Sequence, residues 1–261
     1  KERAKADPSA AGASLKGDDH WAKYVAGCAW WLINHGKMHA KGDAVERAVK
    51  GATVFLESDL PLGGGVSSSA AIEVATMTAL AAVWGFEVPG MTLAAACQVV
   101  ENRVVGAPCG VMDQVTSCLG EEGALLKLLC QPGADGLPAQ VQGVIKVPEG
   151  FGFVGVHSGV RHEVSGDPYT DTRVAAFMGQ KILSVLETPD VTDGWLARVG
   201  PKRYCMELRQ KLPVEITGQV FLDQYGSTND TVTRVDARKV YRVRAATSHH
   251  VLESRRVRRF A

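Results

Sequence analysis

Apolar residues recur at three- and four-residue spacings through Trp21, Tyr24, Val25, Cys28, Trp31 and Leu32. That stripe predicts an amphipathic helix opened by Asp18-Asp19 and closed at Asn34-His35-Gly36. The β-branched, apolar stretch Thr53-Val54-Phe55-Leu56 predicts a strand, and the alanine-rich run from Ala70 to Trp84 predicts a long helix. Thr92 opens another helical pattern through Leu93, Cys97, Val100 and Val104, which Gly106-Ala107-Pro108 breaks before a new helix starts within Cys109 to Gln114. Leu125 to Leu129, Val141 to Val147 and Phe151 to Val156 read as strands. Tyr169 to Leu186 reads as a helix with Val174, Phe177, Met178 and Ile182 on one face. Further helices are expected over Tyr204 to Leu212, over Ile216 to Tyr225 and after Ser248. The mixture is that of an α+β protein, without an internal repeat or a clear linker. Residues 1–17, rich in Ala, Gly, Ser and Lys, are expected to be poorly ordered.

Between the strand at 53–56 and the helix at 70–84 lies Pro61-Leu62-Gly63-Gly64-Gly65-Val66-Ser67-Ser68-Ser69-Ala70-Ala71. Strand, glycine loop and helix in this order make a phosphate cradle: glycines let the backbone approach a ligand, and the helix start offers unpaired N–H groups and the positive dipole end. A Walker loop needs a Lys-Ser or Lys-Thr pair after its second glycine, and this stretch has no lysine. A dinucleotide fingerprint needs a third glycine where serines stand. Taken alone, the loop reads equally well as a glycine turn with a serine N-cap.

Composition narrows the function classes only a little. Of 261 residues, 46% are hydrophobic and 22% charged, ordinary for a globular chain of one or two domains. A net charge of +1 points to neither nucleic acid nor an anionic membrane. The longest apolar run, Val74 to Phe86, falls short of the roughly 20 residues a bilayer span needs. The six scattered cysteines form no CxxC pair, so reduced thiols in a cytoplasmic protein are expected rather than a zinc site or a disulfide framework. The chain opens Lys1-Glu2-Arg3 and closes on the basic run Arg255 to Arg259, and it reads as an interior piece of a longer protein. That run and the His249-His250 pair read as a solvated helix face.

Glu101 and Asp113 stand twelve residues apart on separate predicted helices, with the Gly-Ala-Pro break between them. Such a break can turn two carboxylates toward one point. Magnesium held with a nucleotide takes one or two hard oxygen ligands from the protein and the rest from phosphate and water. A serine of the loop and one carboxylate would suffice, leaving the second to orient or deprotonate an attacking hydroxyl. A lone acid on a helix is most often a solvated surface charge, but Asp113 sits in an apolar stretch where a charge is costly without a partner.

The loop Pro61 to Ala71, the segment Glu101 to Gln114 (ENRVVGAPCGVMDQ) and the segment Ser158 to Tyr169 (SGVRHEVSGDPY), in this order and spacing, resemble the GHMP small-molecule kinase family and within it the galactokinase branch. The likeness extends back to Trp21-Ala-Lys-Tyr-Val-Ala-Gly27 and forward to Arg173. The stretches around Cys130-Gln-Pro132, Asp171 to Lys181, Pro201 to Tyr204, Lys211 to Pro213 and Tyr241 to Ala245 resemble the plant-type L-arabinokinases more than ordinary galactokinases.

The resemblance implies an α+β, two-layer GHMP-kinase fold, incomplete at both ends: an N-terminal ATP-binding domain over 18–150 and the start of a C-terminal domain over 151–261. It implies a sugar 1-kinase that uses ATP with Mg²⁺ and phosphorylates the anomeric hydroxyl of L-arabinose, with D-galactose as the alternative. Gly63, Gly64, Gly65, Ser67, Ser68 and Ser69 would wrap the ATP phosphates, and Trp21 would pack on adenine, with a plain core tryptophan as its alternative. Ser69 and Glu101 would ligate the metal. Asp113 would face the anomeric hydroxyl, Arg161 would stabilise Asp113 and screen the phosphates, and Gly110 and Tyr169 would line the sugar pocket. A cation beside Asp113 weakens it as a base, which favours orientation over proton abstraction. L-Arabinose lacks only the C6 hydroxymethyl group of D-galactose, and one small group is worth about 1–3 kcal/mol of discrimination, so cross-reactivity is expected. The family's N-terminal sugar-binding motif and C-terminal glycine-rich motif have no counterpart here, so strands and part of the sugar pocket are expected to be missing. A non-catalytic sugar- and ATP-binding sensor is the competing reading; the intact Ser69-Ala70 pair and Asp113 favour the enzyme. Partners are then ATP and a monosaccharide, with neither nucleic acid nor membrane, and the oligomeric state is left open.

Overall fold

The computed structural model describes residues 7–39, 51–61, 63–156, 158–160, 167–187 and 190–260. The chain divides into two compact units, Lys1–Glu163 and Val164–Ala261.

In the first unit the stripe that starts beside Trp21 folds as α1 (Ala22–His35). The alanine-rich run forms α2 (Ser68–Trp84), which ends where Gly85 takes a left-handed conformation and its N–H reaches the carbonyls of Ala81 and Ala82. α3 (Gly90–Val100) runs into a widened π turn, Glu101–Val105, closed by left-handed Gly106. α4 (Met112–Leu119) follows the Gly-Ala-Pro break, then β1 (Ala124–Leu129) pairs antiparallel with β2 (Gln140–Lys146). Cys28, Leu32, Met77, Cys97 and Val100 are completely buried where α1, α2 and α3 meet. Each large apolar side chain there contributes about 1.5–3 kcal/mol. Gly27 lets α1 come close, since a Cβ there would run into Val100 and Val104. A smaller cluster of Ala94, Val111, Val115 and Ala139 takes Leu126 and Leu128 of β1 against it.

In the second unit α5 (Asp167–Leu186) is the long helix expected from its stripe. A helical run follows, beginning as α6 (Pro201–Arg203) and continuing through a π turn (Tyr204–Leu208) and a 3-10 turn (Arg209–Lys211). β3 (Ile216–Thr217) leads into α7 (Gly218–Tyr225), whose first turn is capped by the Thr217 hydroxyl accepting from Val220 N–H at 3.3 Å. β3 pairs antiparallel with β4 (Val240–Tyr241), and α8 (Val243–Phe260) ends the described chain. Met178, Ile182, Leu183, Tyr204, Phe221 and Val251 form its core. α5 packs on α8, and Gly179 makes the approach possible, because a Cβ there would collide with Thr247.

Among the described residues, helices with two small antiparallel sheets give the mixed α+β content. Several expectations need correction. Residues 53–56 and 151–156 form no strand; Phe55 is 87% exposed, and Phe151, Phe153, Val154 and Val156 are exposed too. A strand exists only where another closes its hydrogen bonds, and among the described residues neither stretch has a ladder partner, so β propensity alone yields extended chain. The last helix starts at Val243, earlier than expected, because Val243, Ala246, Thr247 and Val251 already form a buried stripe. Where poor order is expected, Pro8–Gly12 forms a 3-10 turn held by Asp7 accepting from Ser9 N–H at 2.9 Å, and Ala11 packs on the first core. Among the described residues no helix is long and apolar enough to cross a membrane.

Candidate functional site

The glycine loop is built from left-handed residues at alternate positions. Gly63 (φ 69°), Gly65 (φ 74°) and Ser67 (φ 59°, ψ 39°) all lie in that region. For glycine this is free; for Ser67 it costs of order 1 kcal/mol, strain of the kind found at ligand clamps. Gly64 N–H donates to Pro61 O at 3.3 Å, and a Cβ on Gly64 would press on Pro61 at 3.2 Å. Gly65 would meet nothing within 4 Å, so packing gives no reason for a glycine at its open side. Ser67 stands at the N-cap of α2 without capping it through its side chain, so the first N–H groups of α2, from Ser68 onward, are available to an anion.

One turn into this opening, Ser69 reaches the first expected partner. It stands close enough to the carboxylate of Glu101 to lower that group's pKa; Glu101 sits at the start of the π turn and is buried. The π turn is held at its base: Gly106 N–H and Ala107 N–H both donate to Glu101 O at 3.0 Å. Such widened turns are common at functional sites because they re-aim a side chain. Asp113, half-buried in the first turn of α4, is close enough for its charge to act on Glu101. Burial raises the Glu101 pKa, and Asp113 raises it further; hydrogen bonds from Cys109, Ser69 and Gln114 pull the other way and lose.

The arrangement thus brings Ser69, Glu101 and Asp113 together from three separate elements. Gly110, just before α4, would carry a Cβ into open space, so its lack of one is not a packing requirement. Trp21, at the N-cap of α1, is 51% exposed, which removes the core alternative for it. Tyr169 belongs to the second unit, half-buried in the first turn of α5. Arg161 lies outside the described residues, as does Leu62 of the loop.

Two buried residues join the site without having been expected there. Glu73 lies one turn after Ser69 on α2, completely buried, and Gln114 directly follows Asp113, also completely buried. Gln114 Nε2 donates to Glu101 Oε2 at 2.6 Å and to Glu73 Oε2 at 3.3 Å. Burial, followed by the charges of Glu101 and Cys97, pushes the Glu73 carboxyl up to about 10, so it is neutral at ordinary pH. Burial and then the same two carboxyls push the Tyr24 phenol well above its usual range. The sequence signal for Glu73 was present: it is the single charge in α2, in an otherwise apolar setting.

The donor set fits a hard divalent cation. Ser69 and Glu101 offer oxygen, and among the described residues neither Glu101 nor Glu73 has a basic side chain acting on its carboxyl. A buried ionised acid without a counter-cation is costly; Glu73 avoids that cost by keeping its proton, and a cation at Glu101 would relieve it there. Among the described residues no group of three His, Cys, Asp or Glu could hold a metal by itself.

Residues 23–121 match a family model described as the GHMP kinases N terminal domain. Over 267 residues the chain is 37% identical to L-arabinokinase from Arabidopsis thaliana, covering 92% of this chain and 24% of that protein. It is 32% identical over 163 residues to galactokinase from Chloroflexus aggregans, covering 62% of this chain and 37% of that protein. Against galactokinase from Streptomyces coelicolor it is 32% identical over 202 residues, 76% of this chain and 49% of that protein. The chain therefore spans less than half the length of each of these relatives.

Proposed function

The chain carries a GHMP kinase N-terminal domain, and from that premise we propose that the protein is an ATP-dependent sugar 1-kinase that converts L-arabinose and ATP to L-arabinose 1-phosphate and ADP. The observation that carries this reading is the convergence of Ser69, Glu101 and Asp113 beside the left-handed loop at the opening of α2. The likeness to L-arabinokinase over most of the chain favours L-arabinose; the galactokinase relatives support D-galactose as the second substrate.

In this reading the loop N–H groups and the α2 dipole hold the ATP phosphates. Ser69 and Glu101 would hold Mg²⁺, which would supply charge neutralisation for the transferring phosphoryl group. Asp113 orients the anomeric hydroxyl. As the hydroxyl oxygen, held in line by Asp113, bonds to the γ-phosphorus, the bond to the β–γ bridging oxygen breaks, ADP leaves, and the hydroxyl proton passes to an oxygen of the transferred phosphoryl group. Arg161 near Asp113, Tyr169 and Gly110 around the sugar, and Trp21 on the adenine complete the proposal.

The test is an ADP-release assay with L-arabinose, D-galactose and D-galacturonate on the wild-type protein and on Asp113→Asn. L-Arabinose is expected to give the highest kcat/KM, and Asp113→Asn to lower kcat about 10²–10⁴-fold. Equal turnover by Asp113→Asn removes Asp113 from the reaction. ATP binding without ADP release from any sugar replaces the kinase with a sensor.

A further inference from the structure

Gln114 holds none of the roles just given, yet it is completely buried among the groups that do. Both of its neighbouring carboxyl groups use the same nitrogen: Nε2 lies 2.6 Å from Glu101 Oε2 and 3.3 Å from Glu73 Oε2, with Cys109 Sγ at 3.7 Å. Its own Oε1 is buried with no hydrogen-bond partner, and so is Oε1 of Glu73. A methionine would fill much the same space and leave no carbonyl unpaired. Burying such an oxygen unpaired costs about 1–3 kcal/mol, so core packing alone does not account for an amide here.

The three residues come from three elements: Glu73 from α2, Glu101 from the π turn, Gln114 from α4. Glu73 is itself anchored, for its backbone carbonyl accepts from Cys28 Sγ of α1 at 3.4 Å. An amide is planar, so an acceptor on each of its two N–H bonds fixes its orientation, and a fixed amide fixes whatever carboxylate it holds. We propose that Gln114 is a positioning residue: with Glu73 as its anchor, it locks the Glu101 carboxylate in the orientation that presents it, beside Ser69, to a divalent cation. This rests on the reading of Glu101 as the carboxylate ligand of Mg²⁺. Outer partners of this kind typically change metal affinity 10–100-fold when removed.

The test is Mn²⁺ binding, followed by the electron paramagnetic resonance signal of free Mn²⁺, in the intact protein with a non-hydrolysable ATP analogue. Glu101→Ala serves as the reference that reports on the metal reading itself. Gln114→Met is expected to raise the apparent Kd for Mn²⁺ about tenfold, with the KM for sugar unchanged and the circular dichroism spectrum of the wild type. Glu73→Met is expected to move the Kd the same way by a smaller factor, and Glu73→Gln, which keeps an acceptor oxygen, to restore it. If Glu101→Ala loses Mn²⁺ while Gln114→Met folds and binds it as tightly as wild type, the positioning role is wrong and the metal reading stands. If Glu101→Ala binds Mn²⁺ normally, the metal reading falls and takes this inference with it. Should Gln114→Met fail to fold, the Glu73 pair decides: equal Mn²⁺ affinity in Glu73→Met and Glu73→Gln overturns the proposal.

Discussion

Each unit buries carboxyl groups, and the two treat them in opposite ways. In the second unit Asp230 is buried beside Arg173, whose Nε and Nη2 donate to its two oxygens at 2.7 and 2.9 Å. The Thr233 hydroxyl and the Val232 N–H add to the same carboxylate. Burial by itself would raise its pKa, but these partners outweigh burial and hold it at about 2. In the first unit Glu73 and Glu101 are more deeply buried still, and burial wins: both pKa values go up. Among the described residues, what separates the two cases is a cation. Asp230 is a finished structural ion pair; the Glu73–Glu101–Gln114 cluster has the acids and the hydrogen bonds but not the positive charge.

The sharpest way to break this contrast is to take the cation away from the second unit. Arg173→Met leaves Asp230 buried and unpaired, and is expected to cost roughly 3–5 kcal/mol in chemical denaturation monitored within residues 167–260. A loss below about 1 kcal/mol would remove the clamp from the account. Next in size, Thr233→Val deletes a hydrogen bond to a buried charge and is expected to cost about 1.5–3 kcal/mol by the same measurement.

A third test reads pH. The folded-state pKa of Glu73 is raised, so the folded chain keeps a proton that the unfolded chain gives up above the ordinary carboxylate range of about 4.5. Stability contributed by that proton is complete below pH 4.5 and declines as pH rises toward 10, by at most about 1.4 kcal/mol per pH unit. Asp230 has the reverse sign: its contribution is present above about 3.8 and is lost as pH falls through 2. Glu73→Gln is expected to flatten the decline between pH 5 and 9 while leaving the acid limb unchanged, as read by urea denaturation across pH. An unchanged slope would mean that Glu73 is ionised in the folded protein. The smallest effect belongs to a surface pair: Lys146 and Glu121, 3.1 Å apart and both largely exposed, should contribute within about 1 kcal/mol, so Glu121→Gln should barely move the midpoint.

Much of this arrangement was legible in the residues alone. Helical stripes placed α1, α3 and α5, because a one-sided apolar face is a local signal that any helix must bury. The order of loop, Glu101 and Asp113 pointed to the site, because glycines in left-handed turns and acids in apolar stretches each require a special environment. Strands were harder to read. The β1–β2 hairpin closes its own hydrogen bonds and was legible, whereas 53–56 and 151–156 find no ladder partner among the described residues, which propensity cannot report. Glu73 was overlooked because one charge in a helix is usually solvated. Gln114 was overlooked because an amide carries no charge, and its position between two carboxylates appears only when α2, the π turn and α4 come together. The π turn itself has no sequence signature of its own.

The central claim is that the buried acids of the first unit complete a nucleotide site only with a divalent cation. Isothermal titration of a non-hydrolysable ATP analogue, with and without Mg²⁺, into wild type and Glu101→Ala tests it most directly. Binding is expected to depend on Mg²⁺ in wild type and to be lost in Glu101→Ala. Binding of equal strength with and without Mg²⁺, unchanged in Glu101→Ala, would contradict it.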